Sequence, residues 1–282
     1  MSLLAEDWMV RSLVVAALVG FAAPVVGTFL VQRRMALLGD GIGHVALAGV
    51  AAGWLAGSAA DLAEQDSLAI PGAVVFAIAG AIAIEWLRER GNAADVAMAI
   101  LFYGGIAGGV LLIGVAGGTN ANLIGYLFGS ITTVTSGDLW ATVVLAGAIL
   151  AIGHFLRHAL FAVTHDEDFA IASGLPVRWL NLLIAVLAAV TITVAMRVVG
   201  VLLVSGLMIL PVAIAQQFSK SFFWTMRIAM ALGATLCVTG LWITYWYDLQ
   251  PGALIITLAV GVYAIAATAR AVLDRRPQAT SS

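Results

Sequence analysis

The chain alternates between long runs of apolar residues and short segments that carry most of its charge. An α-helix needs about 20 apolar residues to cross the hydrocarbon core of a bilayer. Each apolar run of about that length is predicted to form a membrane-spanning helix, at 12–31, 40–58, 69–87, 94–115, 138–156, 179–196, 198–217, 223–245 and 251–270. The pattern therefore predicts an all-α, polytopic bundle of membrane helices.

Two segments complicate the number of spans. Residues 117–137 are too polar to span cleanly and too apolar for a free loop, so we expect a re-entrant or interfacial segment there. Residues 196–200 divide one long apolar run into two shorter spans. Eight and nine helices both agree with the hydrophobic pattern, and the distribution of charge favours nine.

Basic residues mark one side of the membrane. The loops after spans one, three, five and seven, together with the C-terminal tail, hold all but two of the 13 lysine and arginine residues. Positive loops lie in the cytoplasm, so the N-terminus is predicted outside and the C-terminus inside. The acidic loop 59–68 then lies outside, and 271–282 is expected to be a flexible cytoplasmic tail.

Composition agrees with a membrane protein and excludes several other classes. The chain is 62% hydrophobic and 10% charged, with a mean hydropathy of +1.07, whereas soluble domains are about a quarter charged. A net charge of −2 gives no reason to expect nucleic acid as a partner. The single cysteine, Cys237, excludes an internal disulfide and a CxxC metal site. Residues 1–282 are interpreted as one transmembrane domain in contact with lipid.

Enzyme motifs are absent from the sequence. GxxxxGK[ST] does not occur and Lys220 is the only lysine, so we do not expect this chain to hydrolyse ATP by a P-loop of its own. Neither HExxH nor GxSxG occurs. The chain is therefore not expected to be an enzyme or to hold a permanent cofactor.

The segment LLGDGIGHVALAGVAAG, residues 37–53, places two ionisable side chains inside an apolar run. Asp40 and His44 are four residues apart, so they share one face of a helix, one turn apart. An ionisable group inside a span costs about 2.5–3.5 kcal/mol on insertion scales and thus suggests a function. A carboxylate and an imidazole suit zinc, manganese or iron(II). Spacing alone slightly favours a structural pair, with Asp40 capping the helix and His44 bonded to a neighbouring helix.

Other polar residues have simpler interpretations. His154 and His158 are expected near the lipid headgroups, at the inner end of the fifth span, with an ion exit site as the alternative. Glu85 is expected to pair with Arg88, and Glu89 with a nearby arginine.

Four segments carry a resemblance to the membrane permease subunits of bacterial ABC importers for zinc and manganese. They are LLGDGIGHVALAGVA at 37–51, LFGSITTVTSGDL at 127–139, THDEDFAIASGLPVRWLNLL at 164–183 and MRVVGVLLVSGLMILPVAIA at 196–215. Their order and spacing agree from about residue 10 to 270. One departure is Gly43, which stands where family members often have serine.

The resemblance implies roles for two sets of residues. Asp40 and His44 are expected to contact the metal on its path. Residues 164–176 are expected to form a cytoplasmic coupling helix that docks into a separate ATPase subunit. Within it, the resemblance implies that the following residues start the helix, contact the ATPase or end the helix: Asp166, Glu167, Asp168, Phe169, Ala172, Gly174 and Leu175.

The function implied by the resemblance is import of a divalent metal ion across the bacterial cell membrane. Two copies of the permease are expected to form the path, with an ATPase subunit in the cytoplasm and an extracytoplasmic metal-binding protein outside. Zinc is the expected cargo because imidazole favours it modestly, and manganese or iron is the alternative. Two rival functions also agree with the sequence, namely a permease for a metal chelate or vitamin and a membrane protein that transports nothing.

Overall fold

The structure is a computed structural model, and it describes residues 7–60, 68–91, 93–115, 125–129, 134–247 and 249–274. All regular elements in these ranges are helices. They are α1 (Asp7–Gln32), α2 (Leu38–Ala59), α3 (Ala69–Glu89), α4 (Ala94–Val115), α5 (125–128), α6 (Ser136–Phe155), α7 (Arg157–His165), α8 (Glu167–Ala172), α9 (Val177–Val199), α10 (Val201–Phe218), α11 (Phe222–Trp246) and α12 (Pro251–Asp274).

Nine helices in the described part of the chain are long and apolar enough to cross a membrane, namely α1 to α4, α6 and α9 to α12. The prediction of nine spans is thus confirmed, and the predicted bounds differ from the observed ones by only a few residues. Most of the predicted acidic loop 59–68 and most of the tail 271–282 lie outside the described residues.

Small residues let α2 pack closely against its neighbours. A side chain added at Gly49 would collide with the backbone of Gly72 in α3, and one at Gly53 would collide with Leu68 just before α3. On the opposite side, a Cβ at Gly105 of α4 would lie 2.7 Å from the backbone of His44. Because lipid gives helices no hydrophobic reason to associate, such close backbone contact is a main source of helix attraction in membranes.

The long apolar run near 200 is broken at Gly200, which joins α9 to α10. Gly200 has φ +84°, a conformation that favours glycine. A Cβ there would lie 2.5 Å from Leu127, Phe128 and Gly129, because α5 and the residue after it pack across the break. Backbone without helical hydrogen bonds is tolerated at membrane depth only where protein covers it. This position agrees with the re-entrant or interfacial segment predicted at 117–137, of which 125–129 and 134–137 are described.

Gly200→Ala is expected to destabilise the protein by about 1–3 kcal/mol, because it adds both a strained φ and a collision with α5. Thermal unfolding in detergent measures the effect as a lower midpoint. Gly261→Ala is the matched control, since nothing lies within 4 Å of a Cβ at that position in α12. Equal midpoints for both variants would contradict the proposed packing across the break.

Candidate metal site and coupling helix

Asp40 and His44 lie on the first two turns of α2 and face each other. His44 Nε2 is 3.9 Å from Asp40 Oδ1. The His44 side chain is 12% exposed and the Asp40 side chain is 25% exposed, so the pair is mostly enclosed by the bundle but is reachable. Helix geometry produces this arrangement from the spacing of four residues.

The sequence left open a structural role for this pair, in which Asp40 caps α2 and His44 bonds to a neighbouring helix. The structure does not show either contact. The residue that caps α2 is Leu37, which makes no side-chain cap hydrogen bond, and Asp40 stands within the first turn. His44 Nδ1 is buried and has no hydrogen-bond partner. Buried polar atoms nearly always have a partner, so an unpartnered one calls for a functional explanation. Neither the helix cap by Asp40 nor a hydrogen bond of His44 Nδ1 to a neighbouring helix is therefore present.

Two neighbouring helices complete the surroundings of the pair. Ser205 of α10 donates its hydroxyl proton toward Asp40 Oδ1 at 3.4 Å or to the carbonyl oxygen of Leu202 at 3.1 Å. The ring of Phe102 in α4 meets the His44 ring edge to face, with 4.6 Å between the ring centres. Ser205 is separated from Asp40 by 165 positions in sequence, and no spacing rule could have identified it.

Gly43, where the resemblance expected serine, has a steric reason in this chain. A Cβ at Gly43 would lie 2.5 Å from Cγ1 of Val201, a fully buried side chain at the start of α10. Serine would therefore require Val201 to move. The contact also shows that the pair lies level with the start of α10, close to the break at Gly200.

The pair offers few ligands. Among the described residues, no group of three or more His, Cys, Asp and Glu side chains is placed to hold a metal ion. Two ligand atoms each about 2.1 Å from one ion lie roughly 3–3.5 Å apart, so the 3.9 Å between Nε2 and Oδ1 needs only a small side-chain rotation. The remaining positions around an ion would fall to water or to another chain. Such a site binds weakly, which suits an ion that must leave again.

The segment predicted as a coupling helix forms the short helix α8. Asp166 caps it by accepting a hydrogen bond from Phe169 N at 2.9 Å. Gly174 follows it with φ +76°, and Leu175 N donates to Ala170 O at 3.1 Å, which closes the helix end. The sequence therefore placed the beginning and end of this helix correctly.

The two faces of α8 differ. Ala170 is fully buried against the bundle, whereas Phe169 and Ile171 are 63% and 59% exposed, and Asp168 and Ala172 are exposed as well. Leu175, predicted to contact the ATPase, is half-buried and packs on the chain's own core. Glu167, also predicted for ATPase coupling, directs its carboxylate toward arginines of the bundle.

The simpler interpretations agree with the structure. Arg88 Nη1 donates to both carboxylate oxygens of Glu85 at 2.9 Å, and Glu89 Oε1 is 2.7 Å from Arg178 Nε. The predicted pairing of Glu85 with Arg88 is thus confirmed, whereas Glu89 pairs with an arginine of α9 and not with one near it in sequence. His154 and His158 are exposed at the junction of α6 and α7.

The nine candidate spans among the described residues define a polytopic membrane protein. The sequence model of the ABC 3 transport family matches residues 5–270. The chain belongs to the ABC 3 transport family. It is thus a multi-pass bacterial membrane protein and a permease subunit of an ABC transporter, not an enzyme. The resemblance found in the sequence motifs is confirmed.

Named relatives cover nearly the whole chain. The manganese transport system membrane protein MntC of Halalkalibacterium halodurans is 30% identical over 94% of this chain and 88% of the relative. The manganese import system permease protein ScaB of Streptococcus parasanguinis is 31% identical over 87% of this chain and 85% of the relative. A solved structure of PsaBC from Streptococcus pneumoniae in complex with Fab is 31% identical, with a TM-score of 0.79, over 94% of this chain and 92% of the solved chain.

Proposed function

We propose that this permease imports a divalent metal ion, with manganese(II) as the first candidate, and that Asp40 and His44 bind the ion on its way. The observation that supports the proposal is the geometry of the enclosed pair: His44 Nε2 faces Asp40 Oδ1 at 3.9 Å, Asp40 does not cap α2, and His44 Nδ1 has no hydrogen-bond partner. The manganese named in two relatives supports the choice of ion. The Asp40 carboxylate and the nearby Ser205 hydroxyl are oxygen ligands, which suit manganese.

Zinc is the second candidate, because an imidazole ligand favours it. The preference for zinc that the sequence suggested rested on His44 alone. The names of the relatives do not support zinc specifically, and they favour the manganese alternative at least as well.

The transport step assigned to this chain is binding and release, without bond chemistry. Asp40 supplies the charge that replaces part of the ion's hydration, and His44 Nε2 supplies a directional ligand. Since no third His, Cys, Asp or Glu among the described residues is placed to join Asp40 and His44, a second copy facing the first completes the path with water. ATP binding and hydrolysis in separate ATPase chains shift the permease between outward-open and inward-open states.

The exposed face of α8 is the proposed contact for the ATPase. Phe169 and Ile171 present apolar side chains on a helix whose other face is anchored by buried Ala170. A short helix with an exposed apolar face fits a groove on a partner surface. An extracytoplasmic metal-binding protein delivers the ion to the opposite side.

Manganese uptake is expected to exceed zinc uptake at equal concentration, because two relatives are named as manganese transporters. Radioactive manganese and zinc are supplied separately to cells that lack the native gene, with and without a plasmid that restores it. Uptake restored for zinc alone would make the manganese assignment wrong. Uptake restored only for a metal chelate would instead favour a chelate permease, which the sequence also allows.

A further inference from the structure

Four charged residues connect the coupling helix to the segment that precedes Asp40. We name this set the arginine–glutamate junction: Arg33 in the α1–α2 connection, Glu85 and Arg88 at the end of α3, and Glu167 at the start of α8. Arg88 Nη1 lies 2.9 Å from both carboxylate oxygens of Glu85. Arg33 Nη2 and Arg88 Nη2 each lie 3.8 Å from Glu167 Oε2. The junction thus joins three parts of the chain through one carboxylate oxygen.

The contact between Arg33 and Glu167 is incomplete. The Arg33 side chain is only 6% exposed, and its Nη2 is buried without a hydrogen-bond partner. A separation of 3.8 Å is too long for a hydrogen bond. Burial lowers the pKa of the Arg33 guanidinium and the charge of Arg88 lowers it further, whereas the carboxylates of Glu85 and Glu167 raise it. A shift of about 1 Å by Glu167 would form a charge-assisted hydrogen bond with Arg33.

Glu167 moves with the coupling helix, since it is the first residue of α8. Its other oxygen, Oε1, accepts a hydrogen bond from Asn181 Nδ2 at 3.0 Å, and Asn181 Oδ1 is buried without a partner. Arg33 precedes Leu38, where α2 begins, and Asp40 is in the first turn of α2. The close packing of α2 on α3 and α4 makes it a stiff element, so displacement of its start reaches Asp40.

We propose that Glu167 is the residue through which movement of α8 reaches the metal site. In a second state of the transport cycle, Glu167 closes onto Arg33 and displaces the α1–α2 connection together with the start of α2. Glu167 is a positioning residue, because it touches neither the ion nor any reacting atom. The inference rests on the proposed function, in which an ATPase acts on α8.

The test measures whether nucleotide binding to the ATPase changes the accessibility of a residue just before α2. The permease is purified with its ATPase after Leu37→Cys, which places a thiol at a residue that is 63% exposed. The native Cys237 is buried and adds no fast background. The rate of labelling by a water-soluble maleimide is compared without nucleotide and with a non-hydrolysable ATP analogue. The permease without further changes is expected to show a change of about fivefold or more.

The ratio of the labelling rate with the ATP analogue to the rate without nucleotide is expected to be close to one in Glu167→Gln and in Arg33→Gln. Co-purification of the ATPase and ATP hydrolysis are expected to persist in both variants. The double variant is expected to lose no more than either single variant, as for two residues that act through one contact. Arg34→Gln is the matched control, since Arg34 is the next residue, carries the same charge and has an exposed side chain. If Glu167→Gln does not fold, Arg33→Lys serves instead, because it keeps the charge but loses the planar fork.

A change in the labelling rate on adding the ATP analogue that survives in Glu167→Gln and Arg33→Gln would overturn the proposal. The absence of such a change in the permease with an unaltered junction would also overturn it. Loss of the ATPase from Glu167→Gln would also overturn it, since Glu167 would then be a docking residue. Metal uptake is measured in parallel on proteoliposomes. Failure of uptake with an intact labelling response would refute the proposed cargo and leave the junction supported.

Discussion

Asp40→Asn is expected to reduce manganese uptake by at least about tenfold, and His44→Ala by a similar factor. Losing even an indirect partner of a metal ligand costs about 10–100-fold in affinity or activity, and losing the ligand itself costs no less. Asparagine preserves the size of Asp40 but removes the negative charge that replaces the ion's hydration. Uptake of radioactive manganese into cells or proteoliposomes measures the effect.

The matched control for these variants is Asp95→Asn, which removes a carboxylate from an exposed position in the first turn of α4. All three variants are expected to reach the membrane and to co-purify with the ATPase, because Asp40 does not cap α2 and His44 Nδ1 makes no hydrogen bond. Normal uptake of both manganese and zinc in Asp40→Asn and His44→Ala would refute the assignment of the site.

Replacing Phe169 and Ile171 together by aspartate is expected to abolish co-purification of the ATPase. Burial of one large apolar side chain in an interface contributes about 1.5–3 kcal/mol, and a charge in its place adds a desolvation cost. Both side chains are mostly exposed, so the bundle itself does not depend on them. Affinity purification of the tagged permease, followed by quantification of the bound ATPase, measures the loss.

Tyr247→Asp provides the control for an added charge at an exposed aromatic position, at the far end of α11. Its ATPase content is expected to match that of the unaltered permease. A normal content in the variant with both Phe169 and Ile171 replaced would show that the ATPase contacts the permease elsewhere.

The length and order of the helices could be predicted from the sequence because a bilayer demands a fixed length of apolar chain. The facing of Asp40 and His44 followed from the helical repeat alone. The contact with Ser205 could not be predicted, since it depends on how α10 crosses α2. The close approach of Val201, which explains why position 43 is glycine, could not be predicted from the sequence for the same reason.

The acidic start of α8 shows a different limit. Charge and position suggested that Asp166, Glu167 and Asp168 share one role at a helix start, and Asp166 does cap the helix. Glu167 instead faces the mostly buried Arg33 and the partly exposed Arg88, which lie far from it in sequence. Local composition identifies a helix start, but only tertiary packing decides which of its carboxylates faces basic side chains of the bundle.

The break at Gly200 has an electrostatic consequence for the ion. It makes Val201 the first residue of α10, and α2 likewise begins at Leu38, so Asp40 lies near two helix N-termini. A helix N-terminus carries a partial positive charge from its aligned peptide dipoles. These two fields stabilise the Asp40 carboxylate when no ion is bound, and they repel a cation that approaches it. At the proposed metal site, the same fields weaken the binding of a cation, which suits an ion that must leave again.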